Sequence, residues 1–296
     1  MRDRRAVLVF LLITFALTFG IEGVMLARGF SLAHFPPLFA QLVILSVMWV
    51  PGASAVLVRK IVLRESLRAP AARLHVGVLR PYLIVMLVMP AMFAVVYGIT
   101  VLLGLGKLDL SLATFLAQMQ SATGKPISNA PPAGLVIAAI AIASITIAPF
   151  LNGLFAFGEE YGWRGFLLPE LLPLGRVRAH LIGGVIWGLW HAPLVLMGFN
   201  YPGHPWAGIA WMCALTTLLG IFESEWTLRH RSTILASFIH GSFNAQAYGV
   251  WRLIVADVDP LLGGLGGCVG LAAAMVLAAW ALARRAPLAV VMAPRG

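Results

Sequence analysis

Two adjacent glutamates, Glu159 and Glu160, close a long apolar run, and Arg164 follows four residues after the second. His191 and His240 lie inside two other apolar runs, and Asn244 comes one helical turn after His240. Ionisable groups at membrane depth are costly, so their default reading is a functional site. Brought together from three runs, they would supply a general base, an imidazole, and hydrogen-bond donors for a developing oxyanion. These are the ingredients of amide hydrolysis by an activated water.

The spacings divide the roles. Glu160 and Arg164 share a helix face in the favourable acid-before-base order, while Glu159 points about 100° away. Glu160 is therefore expected to be held by Arg164, with Glu159 left to face a cavity. The ordinary alternative is an interfacial ion pair capping a helix end. His191 stands in Gly184-Val-Ile-Trp-Gly-Leu-Trp-His-Ala-Pro193, about 15 Å along the axis from Leu181. Trp187 lies one turn earlier on the same face, and Pro193 weakens the backbone ladder nearby. His240 lies about 10 Å past Thr233, and Asn244 shares its face at i+4. The competing readings are a buried histidine bonded to a backbone carbonyl and an interhelical polar contact.

Positioning these groups requires a membrane bundle. The chain has 296 residues, 60% hydrophobic and 11% charged. Soluble domains run about 45–50% apolar and about 25% charged, which excludes that class. Eight runs of about 20 apolar residues are expected to cross as helices. They fall at roughly 6–27, 38–58, 82–105, 133–157, 181–199, 206–227, 233–254 and 261–283. The first, after Met1-Arg-Asp-Arg-Arg, reads as an uncleaved anchor. With the N-terminus inside, 17 Lys and Arg residues fall on inner segments and 4 on outer ones. That asymmetry predicts eight spans with both termini cytoplasmic. The net charge of +10 is thus topological, facing anionic lipid headgroups and not nucleic acid. Residues 60–80 are expected to form a short basic interfacial helix, and 106–132 a long polar outer loop. Cys213 and Cys268 both fall in predicted spans, which supports neither a disulfide framework nor a thiolate site. The expected fold is all-α: one transmembrane domain over 1–296, with its core at about 133–254.

The ordered motifs Glu159-Glu-Tyr-Gly-Trp-Arg164, Trp187-Gly-Leu-Trp-His191 and His240-Gly-Ser-Phe-Asn244 resemble a known family. It is the CAAX-protease and bacteriocin-processing (CPBP) intramembrane peptidases, the type II CAAX prenyl endopeptidases. The aromatic before the first histidine is commonly Phe there and is Trp187 here. The resemblance implies an endopeptidase of the bacterial inner membrane with its active site facing the cytoplasm. Its substrate would be a protein or peptide cut near the C-terminus or a membrane-proximal segment, with prenylated tails among the candidates. Carried over by position, Glu159 and His191 would activate water, and His240 and Asn244 would stabilise the oxyanion. Arg164 would orient the glutamates, with Glu160 and Trp187 supporting.

Two His and one Glu, here Glu159, His191 and His240, would also suffice for a three-ligand zinc site with an open position. There is no His-Glu-x-x-His motif, and Asn is a poor zinc ligand but a good oxyanion donor. Metal-free hydrolysis is therefore favoured, with zinc left open. Other carboxylates receive plainer readings. Glu22 is expected to snorkel or bond a neighbouring helix, and Glu223 and Glu225 to pair at the interface with Arg229 and Arg231. His180 is assigned no role. Rival functions are a proton-coupled transporter, disfavoured by the lack of repeated halves, and a non-catalytic immunity or binding protein of the same fold.

Overall fold

The computed structural model describes residues 3–32, 38–65, 73–124, 127 and 130–287. Those residues are overwhelmingly helical. Their one strand pair is a two-residue antiparallel ladder, Lys107–Leu108 against Val255–Ala256. The helices are α1 (Arg4–Ala27), α2 (Leu38–Val47), α3 (Val50–Ile61), α4 (Arg80–Leu102), α5 (Ala113–Thr123), α6 (Ala133–Ile145) and α7 (Ala148–Gly162). After a π-helical turn at Trp163–Leu167 come α8 (Leu168–Leu171), α9 (Arg176–Trp190), α10 (Ala192–Leu196), α11 (Pro205–His230), α12 (Thr233–Ala247), α13 (Val250–Ile254) and α14 (Cys268–Ala283).

Among these, four helices are long and apolar enough to cross a membrane: Arg4–Ala27, Gln41–Ile61, Arg80–Leu102 and Pro205–His230. A fifth is obtained if the pair Ala133–Ile145 and Ala148–Leu174, bent by 50°, counts as one span. The remaining expected spans are shorter or interrupted. The 133–157 run breaks just before Pro149, whose ring has no N–H to continue the ladder. Helical structure then continues past 157 to Leu174, so Glu159 lies well inside a helical segment, not at its end. The 181–199 run starts earlier, at Arg176, and breaks at His191, two residues before Pro193. The 261–283 run is helical only from Cys268.

Hydrogen bonds tie the bundle at two opposite rims. At one, the Asp3 backbone N–H donates to Glu170 Oε2 (3.0 Å), Arg176 to the Ala286 carbonyl (2.6 Å), and Arg229 to the Arg284 carbonyl (2.9 Å). At the other, the Leu32 N–H donates to the Met197 carbonyl (2.7 Å), Trp211 to the Leu261 carbonyl (3.0 Å), and Lys107 pairs with Asp257 (2.9 Å). The first rim brings together Arg176, Arg229 and Arg284.

Two loop expectations need correction. Residues 66–72 of the predicted basic helix lie outside the described residues, and 73–79 are not helical. Just before that stretch, Arg59 is 2% exposed and bonded to Glu65 (2.8 Å) and the Gly165 carbonyl (2.7 Å). The 106–132 loop contains α5, whose start is organised by Asp109. That carboxylate accepts from the Ser111 hydroxyl (2.5 Å) and the Thr114 N–H (2.8 Å). These bonds, the Ser111 hydroxyl first, hold its pKa well below the usual carboxylate range.

Backbone-to-backbone packing fixes the helices that matter. A Cβ added to Gly241 of α12 would sit 2.4 Å from the Gly153 nitrogen and the Pro149 carbonyl oxygen of α7. One added to Gly188 of α9 would lie 2.4 Å from the Cys213 Cα of α11. Small residues allow such close approach between membrane helices. Gly241→Ala must therefore push α12 off α7, and overpacking typically costs about 1–3 kcal/mol. The expected outcome is a lowered melting temperature in detergent, measured by the loss of monodisperse protein on heating.

Candidate functional site

The site forms where α7, α9, α11 and α12 meet. At the end of α7, Glu159 and Glu160 are 2% and 0% exposed and face different partners. Glu159 Oε2 accepts from the indole N–H of Trp187 on α9 (2.7 Å) and, more distantly, from that of Trp163 (3.4 Å). Glu160 Oε1 accepts from Arg164 (2.9 Å) and from Nδ1 of His240 on α12 (2.9 Å). The Arg164 guanidinium also pairs with Glu223 of α11 and lies 4.2 Å from the Trp187 ring centre. One arginine thus serves two carboxylates and an indole face.

The two histidines are oriented through their Nδ1 atoms. His191 Nδ1 lies 2.8 Å from the Trp187 carbonyl oxygen. A carbonyl can only accept, so Nδ1 carries the proton and Nε2 of the neutral ring is bare, able to act as a base or ligand. His240 likewise directs Nδ1–H at Glu160, which leaves Nε2 for other contacts. The break at His191 stacks its ring edge-on against Trp190, whose indole N–H donates to Thr18 of α1 (2.8 Å).

A cavity of about 410 Å³ opens in front of these groups. Glu159, Trp187, His191, His240 and Asn244 all line it, whereas Glu160 and Arg164 stand behind its wall. The division expected from the Glu-Glu-x-x-x-Arg spacing is thus the one found: Glu160 held by Arg164, Glu159 facing space. Trp187 does more than line the wall, since it is the main donor to Glu159. Its 2.7 Å bond was not foreseen from the sequence.

Other expectations were mistaken. Glu223 pairs with Arg164, not with Arg229 or Arg231. Glu225 accepts from His180 (2.7 Å) beside Arg176 (3.4 Å). His180, given no role, is 5% exposed in that cluster. Glu22 does not snorkel: it is fully buried, neither oxygen has a hydrogen-bond partner, and it lines the same cavity as Glu159. The available signal was its position inside an apolar run, the criterion that singled out Glu159.

Among the described residues, the set that brings three ligand atoms within 4.8 Å of one another is Glu160, Glu223 and His240, not Glu159, His191 and His240. Both carboxylates of the compact set already bind the Arg164 guanidinium, and the His240 Nδ1 proton points at Glu160. A divalent ion there would face a resident cation, so the arrangement does not fit one.

Residues 135–246 match the Rce1-like type II CAAX prenyl endopeptidase family. Glu159, His191, His240 and Asn244 all fall inside that stretch. The curated CAAX prenyl protease 2 of Methanococcus maripaludis is 29% identical over 96 residues, which are 30% of this chain. The match spans about a third of that relative's length, 35%. The chain thus carries a CAAX-protease-like segment within an integral membrane protein.

Breaking a buried ion pair by removing one partner costs about 3–5 kcal/mol, because the other charge is left uncompensated. Arg164→Met strands both Glu160 and Glu223, and the expected outcome is a large loss of stability. Adding Glu160→Gln and Glu223→Gln should restore much of it, as read by thermal unfolding of the three purified variants.

Proposed function

We propose that this protein is an intramembrane endopeptidase that hydrolyses a peptide bond with a water activated by Glu159 and His191. The observation that carries the reading is that four polar side chains from α7, α9 and α12 line one cavity within the family-matched segment. A water between the Glu159 carboxylate and the bare His191 Nε2 has two acceptors for its protons. Its oxygen attacks the scissile carbonyl carbon, and the proton released passes to the base and then to the departing amine. Negative charge develops on the carbonyl oxygen. The Asn244 amide and His240 Nε2–H are the donors assigned to it. With the Glu160 carboxylate on Nδ1, the His240 ring can carry a second proton on Nε2 and act as a donor throughout the cycle. Trp187 fixes the Glu159 carboxylate, so the base needs no reorganisation when substrate arrives.

The substrate class we assign is a protein or peptide segment at or near the membrane, in the bacterial inner membrane. A prenylated tail is one member of that class. Orientation follows from charge. The rim with Asp3 and Ala286 carries most of the basic residues, which favours its facing the cytoplasm. The cavity lining includes exposed Gln41, Asn200 and Arg252, which belong to the opposite rim. We therefore favour a chamber opening on the non-cytoplasmic face, against the cytoplasmic opening that the resemblance implies.

Two measurements test these assignments. Removing a general base typically costs about 10²–10⁴-fold in rate. Glu159→Gln should lower turnover of a quenched peptide by that order in detergent while peptide binding persists; undiminished turnover would remove Glu159 from the mechanism. For orientation, single cysteines are placed in a Cys213→Ala, Cys268→Ala background. An impermeant maleimide applied to intact cells should label Asn200→Cys, and label Arg285→Cys only after permeabilisation. The opposite pattern would put the mouth in the cytoplasm.

A further inference from the structure

The chamber holds a second carboxylate that the hydrolytic scheme does not use. Glu22 sits on α1 on the same face as Thr14 and Thr18, all three fully buried. Thr18 accepts the Trp190 indole N–H, which fixes this stretch of α1 beside the break that carries His191. Glu22, one turn further along, lines the cavity with both oxygens lacking a hydrogen-bond partner.

In such surroundings the bare carboxylate ion is strongly disfavoured, so Glu22 becomes ionised only when a cationic partner reaches it. The protein's own candidates are committed elsewhere. Arg164 is bound to Glu160 and Glu223 behind the wall, and Arg252 is exposed at the mouth. His191, which lines the same cavity, directs its Nδ1 proton at a backbone carbonyl. The rest of the wall around Glu22 is largely apolar, with Leu32, Ile44, Leu194 and Phe199. Away from the groups around Glu159, an acid set among these apolar side chains suits a ligand segment that is apolar around one cationic point.

We propose that Glu22 is a specificity residue that receives a lysine or arginine side chain, or a free amino terminus, of the peptide bound in the chamber. This rests on the chamber being the substrate site. It extends that reading by giving the substrate a charge at a fixed distance from the bond at Glu159. The interaction is an ion pair within the low-dielectric chamber, where a close charge pair discriminates strongly against an uncharged analogue.

The test uses apolar peptides in which a single lysine is moved residue by residue, each paired with a peptide carrying isosteric, uncharged norleucine. Binding to detergent-solubilised protein is measured by fluorescence anisotropy, and cleavage is followed separately by mass spectrometry. At one register the lysine peptide should bind at least about tenfold more tightly than its partner. Glu22→Gln should bring that ratio to about one, and Glu22→Asp should keep part of it. Equal binding of the two peptides at every register would overturn the proposal, as would a preference that survives in Glu22→Gln. A preference that depends on Glu22 without any cleavage would keep the subsite and reject the endopeptidase reading.

Discussion

One buried guanidinium organises the centre of this bundle. Arg164 lies 3% exposed between Glu160 of its own helical segment and Glu223 of α11, with the Trp187 ring against its face. Three helices are thereby joined through a single charge. In a low-dielectric interior neither carboxylate could remain ionised alone, and neither could be removed without leaving the arginine stranded. Glu160 Oε1 carries the network onward, accepting from both Arg164 and His240 Nδ1. Glu159, which has only indole donors, is the carboxylate left to meet the cavity. The tandem glutamates thus differ in role because only one of them has a cation.

The helices are interrupted where the site needs a side chain re-aimed. The π-helical turn at 163–167 follows immediately after the glutamates and places Trp163 and Arg164 on neighbouring positions of a widened turn. The break at His191 frees its ring from the regular helical direction while its Nδ1 is tied back to Trp187. Close glycine contacts do the opposite work. Gly241 against Gly153, and Gly188 against Cys213, bring backbones so near that α12 and α9 have little freedom to slide.

Much of the site could be read from the sequence because polar residues on apolar runs stand out. Glu159, Glu160, Arg164, His191, His240 and Asn244 were found on that basis, and so was the separation of the two glutamates by helical angle. The all-α class follows from composition together with apolar runs of helix-spanning length. What escaped was long-range. Glu223 was assigned to Arg229 and Arg231 because they are neighbours in sequence, whereas its partner is Arg164, 59 positions earlier in the chain (223 minus 164). Glu22 reads from the sequence as snorkelling or bonding a neighbouring helix, because nothing local shows that α1 turns that face into a cavity. The helix breaks were only partly legible. Pro193 marks one, and Pro149 carries the same signal for the bend before it, inside a run whose apolar pattern is otherwise unbroken. The glycine pairs at 158 and 162 and at 184 and 188 are spaced for close helix contact, and that signal was present but unused.

The bond between Trp190 and Thr18 spans 172 residues of chain. During synthesis α1 enters the bilayer long before α9 exists. At about 5–20 residues per second, the partner emerges roughly ten to thirty seconds later. Through that interval Thr18 and Glu22 face lipid or insertion machinery without the neighbours that finally enclose them. The first helix is thus held in a provisional state, and assembly of the chamber is among the last events in the biogenesis of this protein.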